Sequence, residues 1–120
     1  MDIEKTRAFY AGLGQEDICQ CAYCRNYVNL IRVSYPGIAA YLQTLGIDIE
    51  KPFETIPLEP ENGYIDYVGG QYIVFGRSDA FSGTTIDGVN ITVTTHHPHT
   101  AISEAHFVIE LYPVRLRWTM

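Results

Sequence analysis

With 120 residues, 47% of them hydrophobic, the chain has the size and apolar content of one folding domain rather than of a disordered segment. Its formal charge of −6 disfavours nucleic acid as a partner, because phosphate binding needs a basic face. No apolar run approaches a membrane span, and the opening Met1-Asp2-Ile3-Glu4-Lys5-Thr6-Arg7 is polar where a signal peptide would be apolar, so the expectation is a cytosolic protein.

In chain order, Asp2 suits the cap of a first helix over roughly 3–13, with Thr6, Phe9, Tyr10 and Leu13 on one face. Gly12 and Gly14 bracket its end. A second helix is expected from about Cys21 to Val33, burying Tyr23, Tyr27, Leu30 and Ile31 and leaving Arg25, Asn26, Asn29 and Arg32 on other faces. Pro36 fits the first turn of a third helix, whose face is Ile38, Leu42 and Leu45 and whose stop is Gly46.

After Lys51-Pro52 the composition turns to β-branched and aromatic residues. Phe53–Leu58 reads as a strand, pushed towards an edge by Pro57. Asn62-Gly63 is a two-residue hairpin signal. Tyr64–Val68 and Gln71–Phe75 flank Gly69-Gly70, which reads as a second hairpin or a bulge, and Ser78–Thr84 reads as a loop. Beyond Asp87-Gly88, Val89, Ile91 and Val93 alternate with polar residues. Phe107, Ile109 and Leu111 repeat that pattern in 106–112, and Val114, Leu116 and Trp118 follow Pro113. The tally is three helices and about six strands with no helix between them, which disfavours parallel crossover wiring. The expectation is an α+β fold in a single domain over 1–120: a helical part, 1–46, packed on a strand-rich part, 53–120, that forms an antiparallel sheet or half-barrel.

All three cysteines fall within six positions, as Cys19-x-Cys21-x-x-Cys24. An odd count excludes a complete disulfide framework and suits free or metal-bound thiols. Three thiolates so spaced can converge on one Zn²⁺, and a histidine would complete a Cys₃His shell. His97 and His99, in the His96-His97-Pro98-His99 stretch, are the candidates, since the adjacent His96 and His97 would point to opposite faces of a strand. Two other readings stand beside metal. Cys21-Ala22-Tyr23-Cys24 at a helix start resembles the C-P-Y-C of glutaredoxins, with a helix N-terminus to favour the Cys21 thiolate, although a thioredoxin-type fold requires a strand where a helix is expected here. Alternatively, the cysteines simply fill space. The chain lacks a G-x-S-x-G elbow, an H-E-x-x-H pair and a phosphate-binding glycine loop, and a Cys24–histidine pair for nucleophilic catalysis stays open, since such partners meet in space and not in sequence.

Between Ile47 and Asp66 lie Asp48, Glu50, Glu54, Glu59, Glu61 and Asp66 against Lys51 alone, either a solvated edge or a surface for a basic protein partner. With Tyr64, Tyr67 and Tyr72, the residues Glu59, Glu61 and Asp66 form the candidate contact surface, because a tyrosine combines an apolar ring with a polar tip.

Cys21-x-x-Cys24-Arg25-Asn26-Tyr27, Gly46-Ile47-Asp48-x-x-Lys51-Pro52-x-Glu54 and Gly70-Gln71-Tyr72-Ile73-Val74-x-Gly76 together resemble a group of small bacterial proteins of unknown function. That resemblance implies a bacterial cytosolic source and a non-enzymatic role. In type only, the short acidic α+β form also resembles the immunity proteins that neutralise bacterial toxins. The expected function is a small binding module with a Zn site at the cysteines. The alternative is a metal- or thiol-dependent enzyme using Cys19, Cys21 and Cys24.

Overall fold

The computed structural model describes all 120 residues. Helices α1 (Ile3–Gly12), α2 (Ala22–Ser34) and α3 (Pro36–Thr44) precede strands β1 (Glu54–Pro57), β2 (Tyr64–Phe75), β3 (Thr84–Ile86), β4 (Val89–Thr94), β5 (His106–Tyr112) and β6 (Val114–Arg117). All pairings are antiparallel, in the order β1-β2-β5-β4-β3 with β6 also on β2. The expected α+β fold is present, and of its two expected forms the structure has the open sheet. No helix is long and apolar enough to cross a membrane.

The turns form where local chemistry demands them. Asn62 and Gly63 take φ of 55° and 81°, closing the tight hairpin between Glu61 and Tyr64. Asp87-Gly88 does the same between β3 and β4, so a short strand lies where the sequence suggested only loop before that turn. Gly69-Gly70 is no hairpin: β2 runs through it for 12 residues. The register against β1 shifts between Ile56↔Gly69 and Pro57↔Tyr67, which makes the bulge alternative correct. Gly70 is needed for a distant reason. A Cβ there would collide with the Tyr27 hydroxyl of α2. That hydroxyl lies 2.8 Å from the Tyr72 hydroxyl, which donates to the Ile49 carbonyl at 2.8 Å.

The main core lies between α2, α3 and one sheet face, around Tyr27, Ile31, Ile38, Leu42, Tyr67, Tyr72, Ile91 and Ile109. A smaller cluster of Ile73, Phe75 and Val108 occupies the opposite face under Phe9, Phe53 and Ile102. Val108 is therefore buried despite its alternate position, whereas Val93, expected to face inward, is 39% exposed.

The helices also close sheet edges with side chains that imitate a strand. The Tyr10 hydroxyl accepts from Ile73 N–H at 2.9 Å and donates to Ile73 C=O at 2.8 Å. One turn earlier Thr6 Oγ1 accepts from Phe75 N–H at 3.0 Å. Tyr35 treats Arg115 of β6 in the same two-way manner at 3.1 Å. Asn26, which the helical pattern placed off the buried face, is fully buried because its amide donates to Arg117 C=O and accepts from Thr119 N–H. These contacts satisfy backbone groups that an exposed edge would offer to another chain.

Candidate metal centre

A compact turn presents Cys19 to the start of α2. Gly14 N–H donates to Asp17 Oδ2 at 2.9 Å, Ile18 N–H to Gln15 C=O at 3.1 Å, and the Gln20 amide to the carbonyls of Gln15 and Ile18. Cys21 is the N-cap residue of α2, with extended φ and ψ of −66° and 163°, and Cys24 lies one turn in. The N-cap leaves the first-turn N–H groups free to meet a sulfur. The three Sγ atoms all lie within 4.8 Å of one another, with Cys19 and Cys21 exposed and Cys24 buried. All three are free thiols and could hold a metal ion.

The environments of Cys21 and Cys24 differ. Partial burial acts to raise the Cys21 thiol, but it is outweighed by hydrogen bonds to its sulfur from the Cys24 and Tyr23 backbone and from the neighbouring thiols, so its pKa falls below the usual value. Burial dominates at Cys24. A contact with the Thr55 hydroxyl at 3.2 Å offsets it in part, the other two sulfurs add to it, and the thiol is pushed up to about 12. Thr55 lies on β1, so this contact ties the centre to the sheet edge, which no sequence pattern indicates.

His97 and His99 do not join the cysteines; the group contains no histidine. His97 packs its ring 6.4 Å from Phe53 and bonds the Pro98 carbonyl, while the His96 carbonyl accepts from Gln71. Since Tyr72 reaches α2, its neighbour Gln71 points to the other sheet face, and the histidine segment goes with it. Any metal at the three sulfurs takes its fourth ligand from elsewhere.

Cys19 opens onto a cavity of about 540 Å³ whose wall includes Gln20, Arg25, Asn29 and Lys51. The acidic segment is divided between this cavity, which Asp48 and Glu50 line, and a separate cleft. Glu59, Glu61, Tyr64 and Asp66 line that cleft, of about 440 Å³. There Asp66 pairs with Arg115 at 2.9 Å, and that guanidinium sits 5.4 Å from the Tyr64 ring centre. Tyr67 and Tyr72 belong to no surface. Both are fully buried, because their hydroxyls find internal acceptors in the Tyr23 and Ile49 carbonyls.

Comparison with protein-family models, curated proteins and solved structures finds no match to this chain.

Proposed function

We propose that the chain is a small binding module whose Cys19, Cys21 and Cys24 hold one Zn²⁺ as thiolates, with the fourth position open. The observation that carries this reading is the convergence of all three sulfurs within 4.8 Å at one helix start. Tetrahedral zinc with Zn–S distances of about 2.3 Å places its sulfurs at comparable separations. Bound there, the ion fastens the turn carrying Cys19 to α2 and, through Cys24, to Thr55 of β1. A basic protein partner would meet Glu59, Glu61 and Tyr64, the members of the acidic surface that stay exposed and outside the Asp66–Arg115 pair.

The sign of the pH dependence follows from Cys24. Its raised pKa means that it keeps its proton throughout the neutral range, so zinc must expel that proton to bind. Affinity therefore rises with pH by about tenfold per unit for each proton released. Competition against a zinc chelator at pH 6 and pH 8 is expected to give at least about a 100-fold stronger site at the higher pH, from the Cys24 proton alone. The Cys24→Ser variant is expected to lose most of the affinity. Zinc binding that is unaffected by Cys24→Ser would remove the reading.

The asymmetry of Cys21 and Cys24 favours a second reading, a dithiol pair. The Cys21 thiolate would attack the disulfide of a substrate, displacing one thiolate and forming a mixed disulfide. Cys24, its proton lost to solvent, would then resolve that intermediate, leaving a Cys21–Cys24 disulfide and a reduced substrate. Rapid reduction of about one equivalent of a small disulfide by the reduced, zinc-free protein, lost in Cys21→Ser, would select this reading over metal.

A further inference from the structure

The wall of the cavity beside Cys19 carries two opposed sets of charge. Asp48 and Glu50 both line it, and both are already paired with Arg32, at 3.0 and 2.7 Å. Lys51 makes no ion pair, and its ammonium donates to the Tyr10 and Leu13 carbonyls at 2.8 and 2.9 Å. Arg25 makes no ion pair and its side chain has no hydrogen-bond partner in the protein. Arg32 offsets one of the two carboxylate charges, Lys51 the other, and the Arg25 guanidinium is left as the surplus positive charge, a group suited to clasp a carboxylate through two N–H groups.

Helix geometry relates this guanidinium to the thiols. Cys21, Arg25, Val28 and Asn29 recur at the spacings that put residues on one helix face. Arg25 thus stands one turn, about 5.4 Å of rise, beyond the N-cap cysteine. The Asn29 amide extends the polar wall a further turn, and Ile18 and Val28 supply an apolar one. A volume of about 540 Å³ is that of a small-molecule site.

We propose that this cavity binds a small thiol carboxylate, with its sulfur on the open position of the Cys₃ metal centre and its carboxylate on Arg25. The inference rests on the metal reading above. A soft metal with three thiolates and no fourth protein ligand accepts a further sulfur, and Arg25 selects among thiols for those carrying an anionic group a few bonds away. The incoming thiol gives its proton to solvent as the metal–sulfur bond forms and a bound water leaves; no electrons are transferred.

Cobalt(II) in place of zinc makes both steps visible, because thiolate–cobalt charge transfer counts the sulfurs bound. The cobalt-loaded protein is titrated with 3-mercaptopropionate, with 2-mercaptoethanol (sulfur without carboxylate) and with propionate (carboxylate without sulfur). The expected result is a fourth-thiolate spectrum with 3-mercaptopropionate at a concentration at least about tenfold lower than with 2-mercaptoethanol, and no change with propionate. Arg25→Met is expected to abolish that preference while loading cobalt as the wild type does. Equal affinity for the two thiols, or a preference that survives Arg25→Met, overturns the proposal and leaves the metal site standing. Failure of the wild-type chain to take up cobalt before any thiol is added overturns the metal reading and this proposal with it.

Discussion

Raising the pH of the metal-free protein from 9 to 12 is expected to unfold it in one cooperative step. Tyr10, Tyr27, Tyr67 and Tyr72 are all buried, and burial is the leading cause that lifts each hydroxyl well above its ordinary pKa, Tyr67 to about 12. In the unfolded chain the same groups ionise near pH 10. Between those limits the unfolded state has released protons that the folded state still holds, so stability is intact below about pH 10 and falls as pH rises. Each such group costs about 1.4 kcal/mol per pH unit, and four together cost about 6 kcal/mol per pH unit, comparable with the whole stability of a small domain. Circular dichroism and tyrosinate absorbance recorded together should show the buried tyrosines ionising in the same transition that removes the secondary structure. Complete ionisation of all nine tyrosines at pH 11 with the fold intact would contradict it.

The second large effect belongs to Gly70. Gly70→Ala is expected to destabilise the protein by about 3 kcal/mol, read as a shift in the denaturant midpoint at unchanged slope. The added Cβ meets the Tyr27 hydroxyl and ring, which are wholly buried and held by the Tyr72–Ile49 hydrogen bonds, so relief of the clash breaks that chain. Its neighbour is the control. At Gly69 the new Cβ meets the Glu110 carboxylate at 2.6 Å, the far end of a flexible side chain, and also Ile56 Cδ1 at 3.0 Å. Gly69→Ala should cost less than about 1 kcal/mol. Equal losses at the two positions would show that the strand, and not Tyr27, sets the demand for glycine.

The contrast between these adjacent glycines shows which parts of the fold the sequence reveals. Pro36, Gly46, Asn62-Gly63 and Asp87-Gly88 are legible because a helix start, a helix stop or a tight turn is decided by a few neighbouring residues. At Gly70 the bulge alternative is legible but the demand for glycine is not, because its cause lies 43 positions earlier, in Tyr27. Tyr67 and Tyr72 are misread for a related reason. They suggest a contact surface beside Tyr64, yet both spend their hydroxyls inside, on the Tyr23 and Ile49 carbonyls. Polar tips with buried acceptors cannot be told from exposed ones by pattern alone. Asn26 is hidden in the same way, since its partners are backbone groups of the last strand and the residues after it.

At the candidate site the division is equally clear. The clustering of Cys19, Cys21 and Cys24 is a local property of six residues and a helix start, and the fold preserves it. The expected partnership with His97 and His99 depends on which sheet face carries the segment after β4, a tertiary matter, and that segment goes to the face opposite α2. Thr55 and Arg25 enter only through the fold: one through the docking of β1 against α2, the other through the pairing of Asp48 and Glu50 with Arg32, which leaves the Arg25 guanidinium without a carboxylate partner.

That three sulfurs make one metal site is tested by elemental analysis of the zinc-loaded and dialysed protein, combined with a thiol titration before and after addition of a chelator. The expected result is about one zinc per chain, with Cys19 and Cys21 shielded despite their exposure until the chelator removes the metal. A protein that retains no zinc and whose two exposed thiols react at once would contradict it.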